Sequence, residues 1–463
     1  MVNNAMNTAT ENSALNRGLG PRQMNMMALG AAIGVGLFYG SASAIKTAGP
    51  AILLTYAVCG VFVFFVMRAL GEMAIHNPVA GSFSRYAFDY LGHRAGFMTG
   101  WTYWFYWIVC IMAEVTAAAI YMTYWFPDVP AWIWALSALL AMGALNLVAV
   151  SAFGEMEFWF AAIKVVTIVF LIVTGTGIIV FGLGNDGVAL GLSNLWSHGG
   201  FMPHGAWGVL AALPMVTFSY SGIEMIGLTA GEAKDPERSI RRVVNTVFWR
   251  IAIFYVGALF VVMSLYPWDL IGAQGSPFVL TFEKLGIREA AGIMNFVVLT
   301  AALSSCNSGI FSTGRMVFNL AEQGQAPGRF RRISARGIPV YAVGLGVLVT
   351  LIGVLLNYIA PPDLFIWLTS IATFAGLFTW TIILLSHIKF RQRVTLSADR
   401  RMMPWSPWSS YATLAFLALI TAMLTFSENT RIAMIVGPIW LLGLWLSYSL
   451  VQKRNGLTTE VYE

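Results

Sequence analysis

Ala28-Leu29-Gly30-Ala31-Ala32-Ile33-Gly34-Val35-Gly36-Leu37-Phe38-Tyr39-Gly40 lies inside the first long apolar stretch of this chain. Three of its glycines, Gly30, Gly34 and Gly36, sit where a membrane helix should be continuous. Glycine weakens a helix interior. In hydrocarbon a freed backbone N–H or C=O is costly unless protein or a polar cavity satisfies it. Two readings follow. The helix is broken so that its backbone groups meet a polar ligand near mid-membrane, or the small residues let a neighbouring helix pack closely.

The composition bounds the setting. The chain has 463 residues, 58% hydrophobic and 10% charged, against roughly 25% charged in soluble domains. Twelve apolar segments are long enough to span, near 26–46, 51–74, 97–125, 131–150, 157–182, 206–230, 246–266, 288–320, 339–357, 363–388, 409–426 and 431–451, each needing about 20 residues. With the N-terminus inside, only Lys46, Lys284, Arg288 and Arg431 of the 27 basic residues fall on the far side, and Lys164 falls within a segment. That asymmetry places both termini in the cytoplasm. The basic charge is spread over many short loops, which argues against nucleic acid. The run Arg329-Phe330-Arg331-Arg332 is either a solvated loop or a contact for anionic lipid.

Segment six repeats the theme of segment one. Val216-Thr217-Phe218-Ser219-Tyr220-Ser221-Gly222-Ile223-Glu224 is polar and glycine-containing in the middle of an apolar run. Interrupted segments in corresponding positions point to a transport site between two inverted halves. The expected organisation is a tail over 1–21, a first repeat over 22–182 (helices one to five) and a second over 206–388 (helices six to ten). Two further helices over 405–452 and a tail over 453–463 follow.

Few residues can carry chemistry. Lys164 lies about two turns into segment five, where an unpaired ammonium is costly. It can exchange a proton, bond carbonyls freed by a broken helix, or snorkel to the interface. Glu114, midway along segment three, and Glu224, just after the break in segment six, can pair with an ammonium, take a proton or bond a neighbouring helix. Segment eight carries the polar patch Ser304-Ser305-Cys306-Asn307-Ser308-Gly309. There is no HExxH, no P-loop and no CxxC, so no metal site, cofactor site or catalytic constellation is expected.

These residues together resemble the amino acid permeases of the amino acid–polyamine–organocation superfamily, in its bacterial amino acid transporter branch. The likeness runs from Leu15 to about Lys453 and rests on GAAIGVGLFYGSASAIKTAGP (30–50), MRALGEMAIHNP (67–78), FGEMEFWFAAIKV (153–165), GLTAGEAKDP (227–236), SPFVLTFEKLG (276–286) and NFVVLTAALSSCNSGIFSTGRM (295–316). It implies an all-α membrane protein of twelve helices, a five-plus-five inverted repeat with discontinuous helices one and six. It also implies a secondary carrier of the bacterial inner membrane, usually a proton symporter, whose partners are an amino acid, protons and membrane lipid.

The resemblance also implies a site. The substrate carboxylate would meet the backbone around Gly34, Val35 and Gly36. The ammonium would meet carbonyls around Ala31, Ala32 and Phe218, Ser219, Tyr220 and Ser221, with Gly222 in the second break. Trp101, Glu114 and Ser304 would shape the side-chain pocket, and Lys164 and Glu114 would couple protons. The first segment looks closest to proline and histidine permeases, whereas 101–125 and 249–263 look more like threonine/serine or D-alanine/glycine permeases. The expectation is import of a neutral amino acid, histidine or proline ahead of threonine, serine, alanine or glycine. The alternatives are an exchanger without net proton movement and, in a different class, a membrane amino acid sensor.

Overall fold

The computed structural model describes residues 26, 30, 33–79, 81–148, 150–183, 186–229, 235–271, 276–284, 288–359, 363–397 and 402–455. The described residues form helices and connecting turns, with no strand among them. Among the described residues, eight helical runs are long and apolar enough to cross a membrane. The difference from twelve apolar segments has two causes. Some segments are short: α5 (Ala131–Asn146) and α16 (Trp408–Met423) have 16 residues each, a rise of about 24 Å against a hydrocarbon core of about 30 Å. Others are broken or joined.

The first two segments are joined. A π turn (Gly36–Gly40) leads into α1 (Ser41–Ala48) and on to α2 (Ile52–His76). The corner between α1 and α2 is Gly49, at φ 61° and ψ −150°. A side chain there would be strained and would also strike the ring of Pro203. The short α3 (Ser82–Leu91) follows, and then α4 (His93–Thr123), 31 residues long.

Helix α4 is the core of the molecule, since most of its central window is buried. It packs against α5, α13 (Arg288–Glu322), α14 (Val340–Ile359) and α15 (Leu364–Arg393). By contrast α6 (Val150–Phe181) is two-faced. Trp159, Val166, Phe170, Val173 and Phe181 are exposed on it, while Glu157 and Lys164 are fully buried. Its apolar side therefore suits lipid, while Glu157 and Lys164 turn inward and Glu155 stays exposed near its start.

Segment six is divided into α7 (Gly205–Ala211), α8 (Leu213–Ser219) and α9 (Met225–Thr229). Next comes α10 (Pro236–Arg250), begun by Asp235, whose side chain accepts from the Arg238 N–H at 3.2 Å, an N-cap. A π turn (Ile251–Gly257) leads on to α11 (Ala258–Leu265). The remaining helices are α12 (Pro277–Lys284), α17 (Glu428–Arg431) and α18 (Ala433–Asn455). Cys59, Cys110 and Cys306 are buried and unpaired.

Candidate functional site

Both glycine-containing interruptions are real breaks. Ile33 and Gly34 form a bend rather than helix, and regular turns resume at Val35. In segment six α8 stops at Ser219, and Tyr220 to Glu224 form turns around Gly222, at φ 89°. The two breaks touch. A Cβ on Gly36 would lie 2.5 Å from the Ser219 Cα and 3.0 Å from its N. Only a residue without a side chain allows that approach.

Side chains take up three of the carbonyls exposed by the breaks, those of Ser219, Gly30 and Ile33. Ser219 C=O accepts from the Tyr255 hydroxyl at 3.1 Å, and Tyr220 donates its own hydroxyl to Tyr56 C=O at 2.8 Å. Lys164 Nζ donates to Gly30 C=O at 2.7 Å, Ile33 C=O at 3.0 Å and Ser304 Oγ at 2.8 Å. Three acceptors saturate its three N–H bonds. Ser304 Oγ in turn donates to Glu157 Oε1 at 2.7 Å. A buried ammonium is thus compensated by carbonyl dipoles and carboxylates, of which Glu157 and Glu114 are the two that act on it.

Between the breaks and α4 lies a small cavity lined by Gly34, Gly36, Trp107, Cys110, Glu114, Phe218, Ser219, Ser221 and Ser305. Its water-accessible space is about 10 Å³, room for about one water. Glu114 closes one side. A Cβ on Gly34 would lie 3.2 Å from both Glu114 Oε1 and Ser305 Oγ, so this glycine leaves the carboxylate room to approach the break.

The structure gathers Gly34, Gly36, Glu114, Phe218, Ser219 and Ser221 at this cavity, with Val35 buried beside them. Tyr220 and Gly222 lie within the second break, but the Tyr220 ring turns toward Tyr56 and Tyr255. Ala31 and Ala32 lie outside the described residues. Trp101 is not at the cavity. It sits 13 positions before Glu114 on α4, about 20 Å along the axis, and donates its ring N–H to Gln325 C=O at 3.2 Å. Ser304 faces Lys164 and Glu157, and its neighbour Ser305 faces the cavity.

Sequence reasoning missed Trp107, Cys110 and Glu157, and had Ser305 only as part of the polar patch of segment eight. The first two were legible, because Trp107, Cys110 and Glu114 follow a helical i, i+3, i+7 spacing and share one face. Glu157 had the same signal, seven residues before Lys164.

Two broken helices meeting around a polar cavity, with a lysine held at the first break, agree with what the sequence resembles. The Amino acid permease family matches residues 23–459. The chain belongs to the amino acid permease family. Among its relatives in Bacillus subtilis (strain 168), the uncharacterized amino acid permease YtnA is 60% identical over 437 residues, 94% of each chain. The probable threonine/serine transporter YbxG is 51% identical, covering 94% of this chain and 95% of the relative. The amino-acid permease AapA is 45% identical over 98% of both. The chain is accordingly an integral membrane protein and an amino acid transporter.

Two further contacts bind this permease together. Glu224 Oε1 accepts from Tyr103 at 3.2 Å, and its Oε2 accepts from the Trp380 ring N–H at 3.3 Å. The last residue of the second break is thereby tied to α4 and α15. Glu72 on α2 accepts from His387 Nε2 at 2.7 Å, from the Arg391 guanidinium at 2.7 Å on both oxygens, and from the backbone N–H groups of Met402 and Met403. That cluster clamps α2 to α15.

Proposed function

We propose that this permease is a proton-coupled importer of a small neutral amino acid in the cytoplasmic membrane of a bacterium, with both termini inside. Its helices are read as the twelve-helix, five-plus-five inverted repeat with boundaries at 22–182 and 206–388. In this reading the amino acid carboxylate binds the backbone N–H groups that open after the first break, at the positive end of a helix. The ammonium meets the carbonyls at the end of α8 and the Glu114 carboxylate. Lys164 carries the coupled charge.

The observation that carries the reading is the position of Lys164, bonded to the two carbonyls of the first break, Gly30 and Ile33. Any rearrangement of that break on substrate binding changes the partners of the ammonium, which links occupancy to its protonation.

The lining supports the serine and threonine class over histidine and proline. The cavity is narrow, walled by Trp107 and Phe218, and rich in hydroxyls from Ser219, Ser221 and Ser305. The 51% identical relative, a probable threonine/serine transporter, points the same way. The test is uptake of labelled L-serine, L-threonine, L-histidine, L-proline and D-alanine into proteoliposomes under an inward proton gradient. Preferred accumulation of serine or threonine is expected. Preferred accumulation of histidine or proline would overturn the substrate assignment and leave the carrier reading standing.

A further inference from the structure

The proton-coupling reading leaves a question that the buried charges answer: where the Lys164 proton goes. We infer that Glu157, on the cytoplasmic side of the lysine, accepts it through the Ser304 hydroxyl. This inference rests on the proposed coupling role of Lys164.

The hydrogen bonds run in one direction. Lys164 Nζ donates to Ser304 Oγ at 2.8 Å, and Ser304 Oγ donates to Glu157 Oε1 at 2.7 Å. One concerted shift moves a proton along both bonds. An N–H bond of the ammonium breaks as an O–H bond forms on Ser304, whose own proton moves to Glu157 Oε1. The products are a neutral amine, an unchanged hydroxyl and a neutral carboxylic acid. Two buried charges disappear together, so the step leaves no new unpaired charge in the apolar interior.

Glu157 is suited to be the far end of this path. It is fully buried, and its Oε2 has no hydrogen-bond partner among the described residues. The two residues are seven apart on α6, about 10 Å along its axis and on one face. With the N-terminus inside, Glu157 is the one nearer the cytoplasm. The glycine of the first break leaves space for it, since a Cβ on Gly30 would lie 2.8 Å from Glu157 Oε1. The groups bearing on the pair are Glu114 from α4 and the uncharged Ser304, Asn307 and Ser308 from α13. No second cation among them competes for the carboxylate.

The test uses proteoliposomes of the full chain and the amino acid that wild type takes up fastest. Exchange against preloaded unlabelled amino acid and accumulation under an imposed proton gradient are measured in parallel. In Glu157→Gln, exchange should persist while accumulation falls to the level seen with protonophore. Glu157→Asp keeps a titratable group and should restore protonophore-sensitive accumulation at a lower rate. Wild-type accumulation in Glu157→Gln would overturn the relay. Equal loss of exchange and accumulation in both variants would also overturn it, making Glu157 a strut. If wild type itself accumulates nothing in response to the gradient, the coupling reading fails first, whatever the variants do.

Discussion

Gly36 and Ser219 meet backbone to backbone, and their contact joins the two broken helices of the molecule. The residues lie 183 positions apart by subtraction (219 − 36), yet a single methyl would separate them. The backbone groups proposed to bind the substrate, on both breaks, depend on that approach.

Gly36→Ala tests the contact. Its Cβ would force the breaks apart, at about 1–3 kcal/mol for overpacking. Transport should fall at least tenfold, and the melting temperature in detergent should drop. Gly344→Ala, at an exposed position with nothing within 4 Å, should match wild type in both measurements.

Lys164→Ala removes the donor that holds the Gly30 and Ile33 carbonyls. Accumulation under a proton gradient should be abolished. Breaking a buried, compensated charge cluster costs about 3–5 kcal/mol, so thermal stability should fall as well. Uptake at a fixed gradient, normalised to protein in the bilayer, separates the two effects.

Trp107→Leu should widen specificity. The indole walls the cavity beside Cys110 and Glu114, and shortening it opens room for larger side chains. Competition assays with labelled serine should show histidine becoming a better inhibitor relative to threonine. An unchanged ranking would place the selectivity elsewhere.

Glu72→Gln tests the clamp between α2 and α15. Removing one partner of a buried ion cluster should cost about 3 kcal/mol, read as a lowered melting temperature. Asp89→Asn breaks the more exposed pair with Arg85 and should cost less than about 1 kcal/mol.

The breaks were legible in the sequence because glycines and polar residues interrupt runs that hydrocarbon would keep helical. Lys164 was legible for the same reason, as a charge where burial is costly. The partners were not. Ser304 and Ser305 are adjacent in sequence and about 100° apart around a helix, and only the fold shows which serves Lys164 and which serves the cavity. Trp101 and Trp107 are both aromatic residues of segment three, and their depth separates them. Glu157 stood at the assumed start of segment five, where a carboxylate passes for a solvated end. The helix begins at Val150, which carries Glu157 into the buried part.

The central claim is that amino acid movement carries a proton through the break held by Lys164. The most direct measurement is internal pH in proteoliposomes loaded with a pH-sensitive dye and given an inward gradient of the transported amino acid alone. Internal acidification in wild type, absent in Lys164→Ala, is the predicted result. Amino acid influx with no change of internal pH in wild type would contradict the account and make this permease an uncoupled carrier or an exchanger.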